Sequence, residues 1–122
     1  MTIIEAINRV DAVKPNVYSQ EEKLRWLSVL DGIIKNDIIN THEGGESIPF
    51  DGYNSENLSQ PLLAPHPYDE MYIKWIEAQI DYYNGEQKKY NNGISIFNSI
   101  YESYAKHYNR THKPISNNFK HF

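Results

Sequence analysis

Residues 68–85 read YDEMYIKWIEAQIDYYNG, and whether this stretch lies on the surface or at the centre decides the fold. On a helical wheel at about 100° per residue, Lys74, Glu77 and Asp81 fall within about 40° of Glu70 and make one narrow charged stripe. Met71, Ile73, Ile76 and Ile80 share the remaining arc of about 200° with Tyr68, Tyr72, Trp75, Tyr82 and Tyr83. That is far more apolar width than one neighbour covers, so the helix needs contacts on two sides. Gln79 lies near the middle of the arc, where burial would oblige it to find partners among the tyrosine hydroxyls. Pro67 suits the first turn, Asp69 and Glu70 suit its positive end, and Asn84-Gly85 closes the segment. Ile73, Ile76 and Ile80 are expected inward, with Tyr68, Tyr72 and Tyr82 at a boundary with another chain, because tyrosine joins a large apolar ring to a polar handle.

Working outward, the segment from about 86 to 108 carries Tyr90, Ile94, Phe97, Tyr101, Tyr104 and Tyr108 at alternating steps of four and three, a heptad-like seam. Asn92-Gly93 interrupts it, so a late start or a kink is expected there. Toward the N-terminus, Ser19 with Glu22 marks a helix start, and Leu24, Leu27, Leu30, Ile34 and Ile38 continue to about residue 40, with Trp26 and Ile33 widening the stripe. Gly32 costs that helix about 1 kcal/mol against Ala, which predicts a close contact or a bend. Thr2 with Glu5 forms a capping box for a short first helix through Ile3, Ile7 and Val10, ended by Pro15. The result is an all-α fold: a small bundle of about four helices in a single domain, with its core over about 2–108.

Between Thr41 and Pro67 the helical period vanishes and Gly44-Gly45, Pro49, Asp51-Gly52, Pro61 and Pro65 punctuate an irregular loop over about 42–66. A loop so long in so small a domain needs a reason. Either Ile48, Phe50, Tyr53, Leu58, Leu62 and Leu63 pin it to the core, or it reaches outward as a second contact surface.

Composition bounds the class. Ile, Leu, Val and Phe supply 29 of the 122 residues, above the range of disordered chains. The absence of cysteine removes disulfides and thiolate chemistry together. No apolar run approaches a membrane span or a secretory signal, and the triplets at Asn57 and Asn109 match a glycosylation pattern that recurs by chance.

Charge is divided unevenly. The C-terminal tail, residues 109–122, carries Arg110, Lys113 and Lys120 with no acid, leaving 9 basic against 16 acidic residues, or −7, on residues 1–108. Phe119 and Phe122 make this extended tail more than a solvated end. Arg110, Lys113 and Lys120 are candidates for steering a partner, and Phe119 and Phe122 for anchoring it. Removing residues 110–122 is expected to spare the fold and to block assembly.

Catalytic and cofactor signatures are weak throughout. His42-Glu43-Gly44-Gly45-Glu46 lacks the second histidine of a zinc helix motif and reads as a helix end followed by a glycine turn. His66, His107, His112 and His121 show no ligand spacing. There is no phosphate loop, nucleophile elbow or triad, so no catalytic residue, cofactor or metal is expected. Net acidity disfavours a general nucleic-acid binder.

The segments TIIEAINRVDAVKPN, YSQEEKLRWLSVLD, THEGGE, PYDEMYIKWIEAQIDYYNGE and YNRTHKP, in that order, span nearly the whole chain. Together they resemble small proteins encoded in the head-to-tail gene cluster of tailed bacteriophages and prophages of low-GC bacteria, the connector or adaptor proteins. The resemblance implies a structural virion component without enzymatic activity. It would be made in the bacterial cytoplasm and incorporated into the virion neck, self-associating as a ring beneath the portal protein and contacting further connector or tail proteins. It implies no membrane and no specific nucleic-acid partner, although DNA would pass through the channel. A regulatory or DNA-binding protein of a mobile element is the rival. It would need a basic recognition helix, whereas Lys23 and Arg25 are offset by Glu21 and Glu22.

Overall fold

The computed structural model describes residues 1–115, in which four helices are joined by irregular chain: α1 (Ile3–Val13), α2 (Gln20–Asp37), α3 (Glu70–Tyr83) and α4 (Gln87–Thr111). Short 3₁₀ turns at Ile39–Thr41 and Gly45–Ser47 follow α2. The expected all-α bundle is present. The capping box of α1 is complete, with Glu5 N–H donating to Thr2 Oγ1 at 3.3 Å and Thr2 N–H to Glu5 Oε1 at 2.8 Å. At α2, Ser19 Oγ accepts from Glu22 N–H at 3.1 Å, but the Glu22 carboxylate turns to Arg25 at 2.6 Å instead of closing the box.

Helix α3 is central and packs against all three others. Its link to α4 is a Schellman turn: Glu86 N–H donates to Asp81 O at 2.9 Å and Gly85 N–H to Tyr82 O at 3.1 Å. Gly85 has φ of 75°, a conformation that a Cβ would strain. The hairpin is zipped by aromatic pairs seven residues apart on each side: Tyr82 on Tyr90 at 5.5 Å, Trp75 on Phe97 at 5.0 Å, and Tyr68, just before α3, on Tyr104 at 5.6 Å between ring centroids. The heptad seam of α4 thus meets a matching series that starts ahead of α3 and runs along it. Gly93 neither delays nor interrupts α4, which begins at Gln87. It lies where a Cβ would stand 3.7 Å from Ala78 Cβ, so the two helices approach closely there.

The charged stripe of α3 faces α1. Arg9 reaches Glu70 at 2.8 Å and Lys14 reaches the buried Asp81 at 2.7 Å. Gln79 is only half-buried, and its expected bonds to tyrosine hydroxyls are absent among the described residues. Lys23 is buried, and its ammonium pairs at 2.5 Å with Asp11, whose carboxylate reaches the surface.

The long loop packs down. Its return path feeds the first turn of α1, with Ile3 N–H donating to Gln60 O at 3.1 Å and Ile4 N–H to Leu58 O at 2.9 Å. These are two of the amides that a helix start leaves without internal partners. Leu62 and Ala64 are buried. Phe50 rests against Gly32, its Cε2 3.8 Å from where a Cβ would stand, so that glycine marks a contact with the loop.

Candidate protein-protein interface

The proposed contact residues fall into different environments. Tyr72 is a correction: it is fully buried, donating its hydroxyl to Asp31 Oδ1 at 2.5 Å and accepting Ala64 N–H at 2.8 Å, and cannot touch another chain. Tyr68 is half-buried at one end of the hairpin, its ring 5.0 Å from His107. Tyr82, at the other end, is 57% exposed. Arg110 belongs to the last turn of α4 and not to the tail. Lys113 is exposed, 4.0 Å from an exposed Glu43, a pair of little energetic weight. Phe119, Lys120 and Phe122 lie outside the described residues.

The chain after α4 is anchored at its root. Glu43 N–H donates to Lys113 O at 2.8 Å and Ile115 N–H to Thr41 O at 3.0 Å, an antiparallel pairing around His42 and Pro114. His42 is buried there, its Nδ1 2.6 Å from Ile38 O and its Nε2 2.7 Å from Asn109 Oδ1. His112 stacks on Tyr108 at 3.8 Å. Cutting the chain before residue 110 would remove the Glu43–Lys113 and Thr41–Ile115 bonds and the His112–Tyr108 stack, so deleting residues 110–122 takes contacts from the bundle.

An aromatic surface forms where α2 and α4 flank α3. Trp75 spans the gap, its Nε1 donating to Trp26 O at 2.9 Å while its ring lies on Phe97. One turn along α3 comes Gln79, and one turn further Tyr83, stacked on Trp26 at 5.7 Å with 7° between planes. Tyr18 closes the cluster at 5.5 Å from Trp26, its hydroxyl donating to Asn84 Oδ1 at 2.7 Å. Tyr82 meets Tyr83 edge-on at 5.1 Å and leads to Tyr90.

Along α2 the surface continues through Val29 and Ile33, 49% and 39% exposed. With Trp26 and Asp37 they occupy an arc of about 80° on the helix. Burial, with a smaller contribution from the Asp37 carboxylate, raises the Tyr101 phenol above its ordinary pKa. Exposed apolar side chains thus stand on α2, at Val29 and Ile33, and at the C-terminal end of α3, at Tyr82 and Tyr83. Sequence reasoning found Tyr82 but assigned Ile33 to the core and passed over Val29. The signal was there as a second stripe, Trp26, Val29 and Ile33 at steps of three and four, beside the main one.

At the other end of the hairpin, a recess of about 210 Å³ opens between α4 and the loop, lined by Ile39, Leu63, Pro65, Tyr104, His107 and His112. Among the described residues, no three His, Asp or Glu side chains converge as a metal site, and no helix is long and apolar enough to cross a membrane.

The network missed by sequence reasoning is around Asp31. This buried carboxylate accepts the hydroxyls of Tyr53 and Tyr72 and the amide of Leu63 at 3.0 Å. Burial pushes its pKa up, against the opposing pull of these three donors, none of which carries a charge. The same burial and the carboxylate raise both phenols, so they remain donors. Comparison with known proteins adds no relative: no protein-family model, curated protein or solved structure matches the chain.

Proposed function

We propose that this protein is a structural component of a phage or prophage virion, a ring-forming adaptor that joins the portal vertex of the capsid to the tail. The observation that carries this reading is the exposed face built from Val29, Ile33, Tyr82 and Tyr83, apolar surface that the chain's own helices leave uncovered. The likeness of PYDEMYIKWIEAQIDYYNGE and YNRTHKP to head-to-tail connector proteins gives that face its setting.

A ring of identical subunits closes by heterologous contacts, one patch meeting a different patch on the next copy. The exposed apolar residues of α2 and α3 are one such patch, and the phenylalanine-ended segment after Ile115, with its single Lys120, is chemically unlike it. Portal, further connector and tail proteins are the partners above and below the ring. The regulatory alternative is weakened because Lys23 is buried against Asp11 and Arg25 is held by Glu22, which leaves the start of α2 without a basic recognition face.

The test is co-expression with a candidate portal protein, followed by electron microscopy of the purified particle. A ring of additional density beneath the portal, lost when Val29 and Ile33 are both changed to Glu, is the expected result. Purified portal without the subunit, or unchanged rings with the double variant, would overturn the assignment.

A further inference from the structure

The recess between α4 and the loop has apolar and aromatic walls. Ile39, Leu63 and Pro65 line it with Tyr104, and no carboxylate or lysine among the described residues borders it. Its two imidazoles already lie against tyrosine rings, His107 at 5.0 Å from Tyr68 and His112 at 3.8 Å from Tyr108. At about 210 Å³ it is larger than the roughly 150 Å³ in which an apolar cavity takes up a benzene ring. A phenyl ring suits such walls, since ring pairs gain free energy beyond the area they bury.

The course of the chain brings a phenyl group to this place. Glu43 N–H donates to Lys113 O and Ile115 N–H to Thr41 O, so residues 113–115 run antiparallel to residues 43–41. A chain that keeps this course next passes Ile39, two residues before Thr41 and about 4 Å further on along a 3₁₀ path. Ile39 is one wall of the recess, and His112, three residues before Ile115, is another. The segment that follows reads SNNFKHF, and Phe119 is its first apolar residue. Four residues span up to about 14 Å, more than the step from Thr41 to Ile39 requires. We propose that Phe119 fills the recess of its own subunit, so that residues 116–119 close over the end of the α3–α4 hairpin. The short tether favours the same copy over a second one, because it holds the ring at an effective concentration on the order of millimolar. The contact belongs to the free subunit and does not rest on the adaptor reading.

Nuclear magnetic resonance of the full chain tests this. With the methyl groups and the phenylalanine rings protonated in an otherwise deuterated chain, the Phe119 ring should show Overhauser contacts to the methyls of Ile39 and Leu63. They should persist when the labelled chain is diluted into a fully deuterated one, and the same methyls should shift in Phe119→Ala but not in Phe122→Ala. Tryptic cleavage after Lys120, followed by mass spectrometry, gives a second measure. It should be roughly fivefold faster in Phe119→Ala than in wild type, since cleavage follows the open population, with free peptides of residues 114–122 as the control for sequence preference. Overhauser contacts that vanish on dilution would put the ring in a second copy. Contacts from Phe122 in place of Phe119, no contact at all, or equal cleavage of wild type and Phe119→Ala would likewise overturn the proposal.

Discussion

Replacing Asp31 by Ala should release the long loop more than it damages the bundle. In the native chain Asp31 is fully buried and gathers three donors from separate stretches: Tyr53 and Leu63 from the loop and Tyr72 from α3. Alanine leaves the Tyr72 hydroxyl and the Leu63 amide without that acceptor, each at about 1–3 kcal/mol, while Tyr53, half-buried, can turn to water. Relief of the buried carboxylate offsets part of this, so a net loss of about 3–4 kcal/mol is expected, at the upper end for single substitutions. With a urea dependence of about 2 kcal/mol per molar, the unfolding midpoint should fall by roughly 1.5–2 M. The Asp31→Asn variant keeps the shape and one acceptor, costs less, and serves as the control should the alanine variant fail to fold. A stability for Asp31→Ala within about 0.5 kcal/mol of wild type, the range of an ordinary surface change, would refute the clamp. So would an unaltered rate of cleavage at Glu56, in the exposed part of the loop.

The same residue predicts a pH dependence, and two further substitutions check the packing. The Asp31 pKa is raised in the folded chain because burial penalises the anion, so the folded state holds the proton more tightly than the unfolded one. That contribution to stability is complete below the unfolded value, near 3.8, and is lost as pH rises through the folded value. Asp31→Asn has no such proton, so its deficit relative to wild type should be greatest near pH 4 and shrink toward neutrality in urea midpoints; a deficit that grows with pH would mean that the three donors outweigh burial. Gly93→Ala adds a methyl 3.7 Å from Ala78 Cβ, an ordinary contact, and removes a helix-interior glycine, so stability should rise by about 0.5–1 kcal/mol, seen as a Tm a few degrees higher. Lys14→Ala strips the buried Asp81 of a partner at 2.7 Å. As Lys14 is partly exposed, the cost in urea unfolding should be about 1–3 kcal/mol, and Asp81→Asn in the same background should recover much of it.

How legible these features were depends on whether their cause is periodic. Tyr68, Trp75 and Tyr82 recur every seven residues, as do Tyr90, Phe97 and Tyr104, and the hairpin that joins them follows from those two series. Caps were equally readable, since Thr2 with Glu5 acts within one turn. The Asp31 clamp was not, because a single acid in α2 carries no mark of the partners that arrive from residues 53, 63 and 72. Lys23 was hidden in the same way: its neighbours Glu21 and Glu22 suggested a local balance, yet Asp11 on another helix holds it. Loop 42–66 could be read as packed or reaching, and only the amides of Ile3 and Ile4, which need acceptors, show why it packs. Gly45 adds a second reason, since a Cβ there would fall 2.4 Å from the Ile39 carbonyl oxygen and the loop turns back against the end of α2 only because none is present.

The three tyrosines singled out on and before α3 separate by what their hydroxyls and rings can reach. Tyr72 meets the buried Asp31 carboxylate, and its phenol supplies a donor that Phe could not. Tyr68 and Tyr82 sit at the ends of the zipper, where the hairpin covers one face of each ring and the other faces solvent or loop. An end position alone does not make an interface. What distinguishes Tyr82 is company: Tyr83 edge-on beside it, Trp26 stacked beyond, and Val29 and Ile33 continuing the apolar surface on α2. Clusters in which large aromatics are ringed by smaller apolar groups are where binding energy concentrates once a partner covers them. A substitution series follows from this. Tyr82→Ala and Tyr83→Ala should weaken self-association strongly and change stability little, Tyr68→Ala should leave association intact, and Tyr72→Phe should lower the unfolding midpoint without touching association at all, with sedimentation and urea unfolding as the two measurements. Equal losses of association at Tyr68 and Tyr82 would place the contact along the whole hairpin and not at its Tyr82-Tyr83 end.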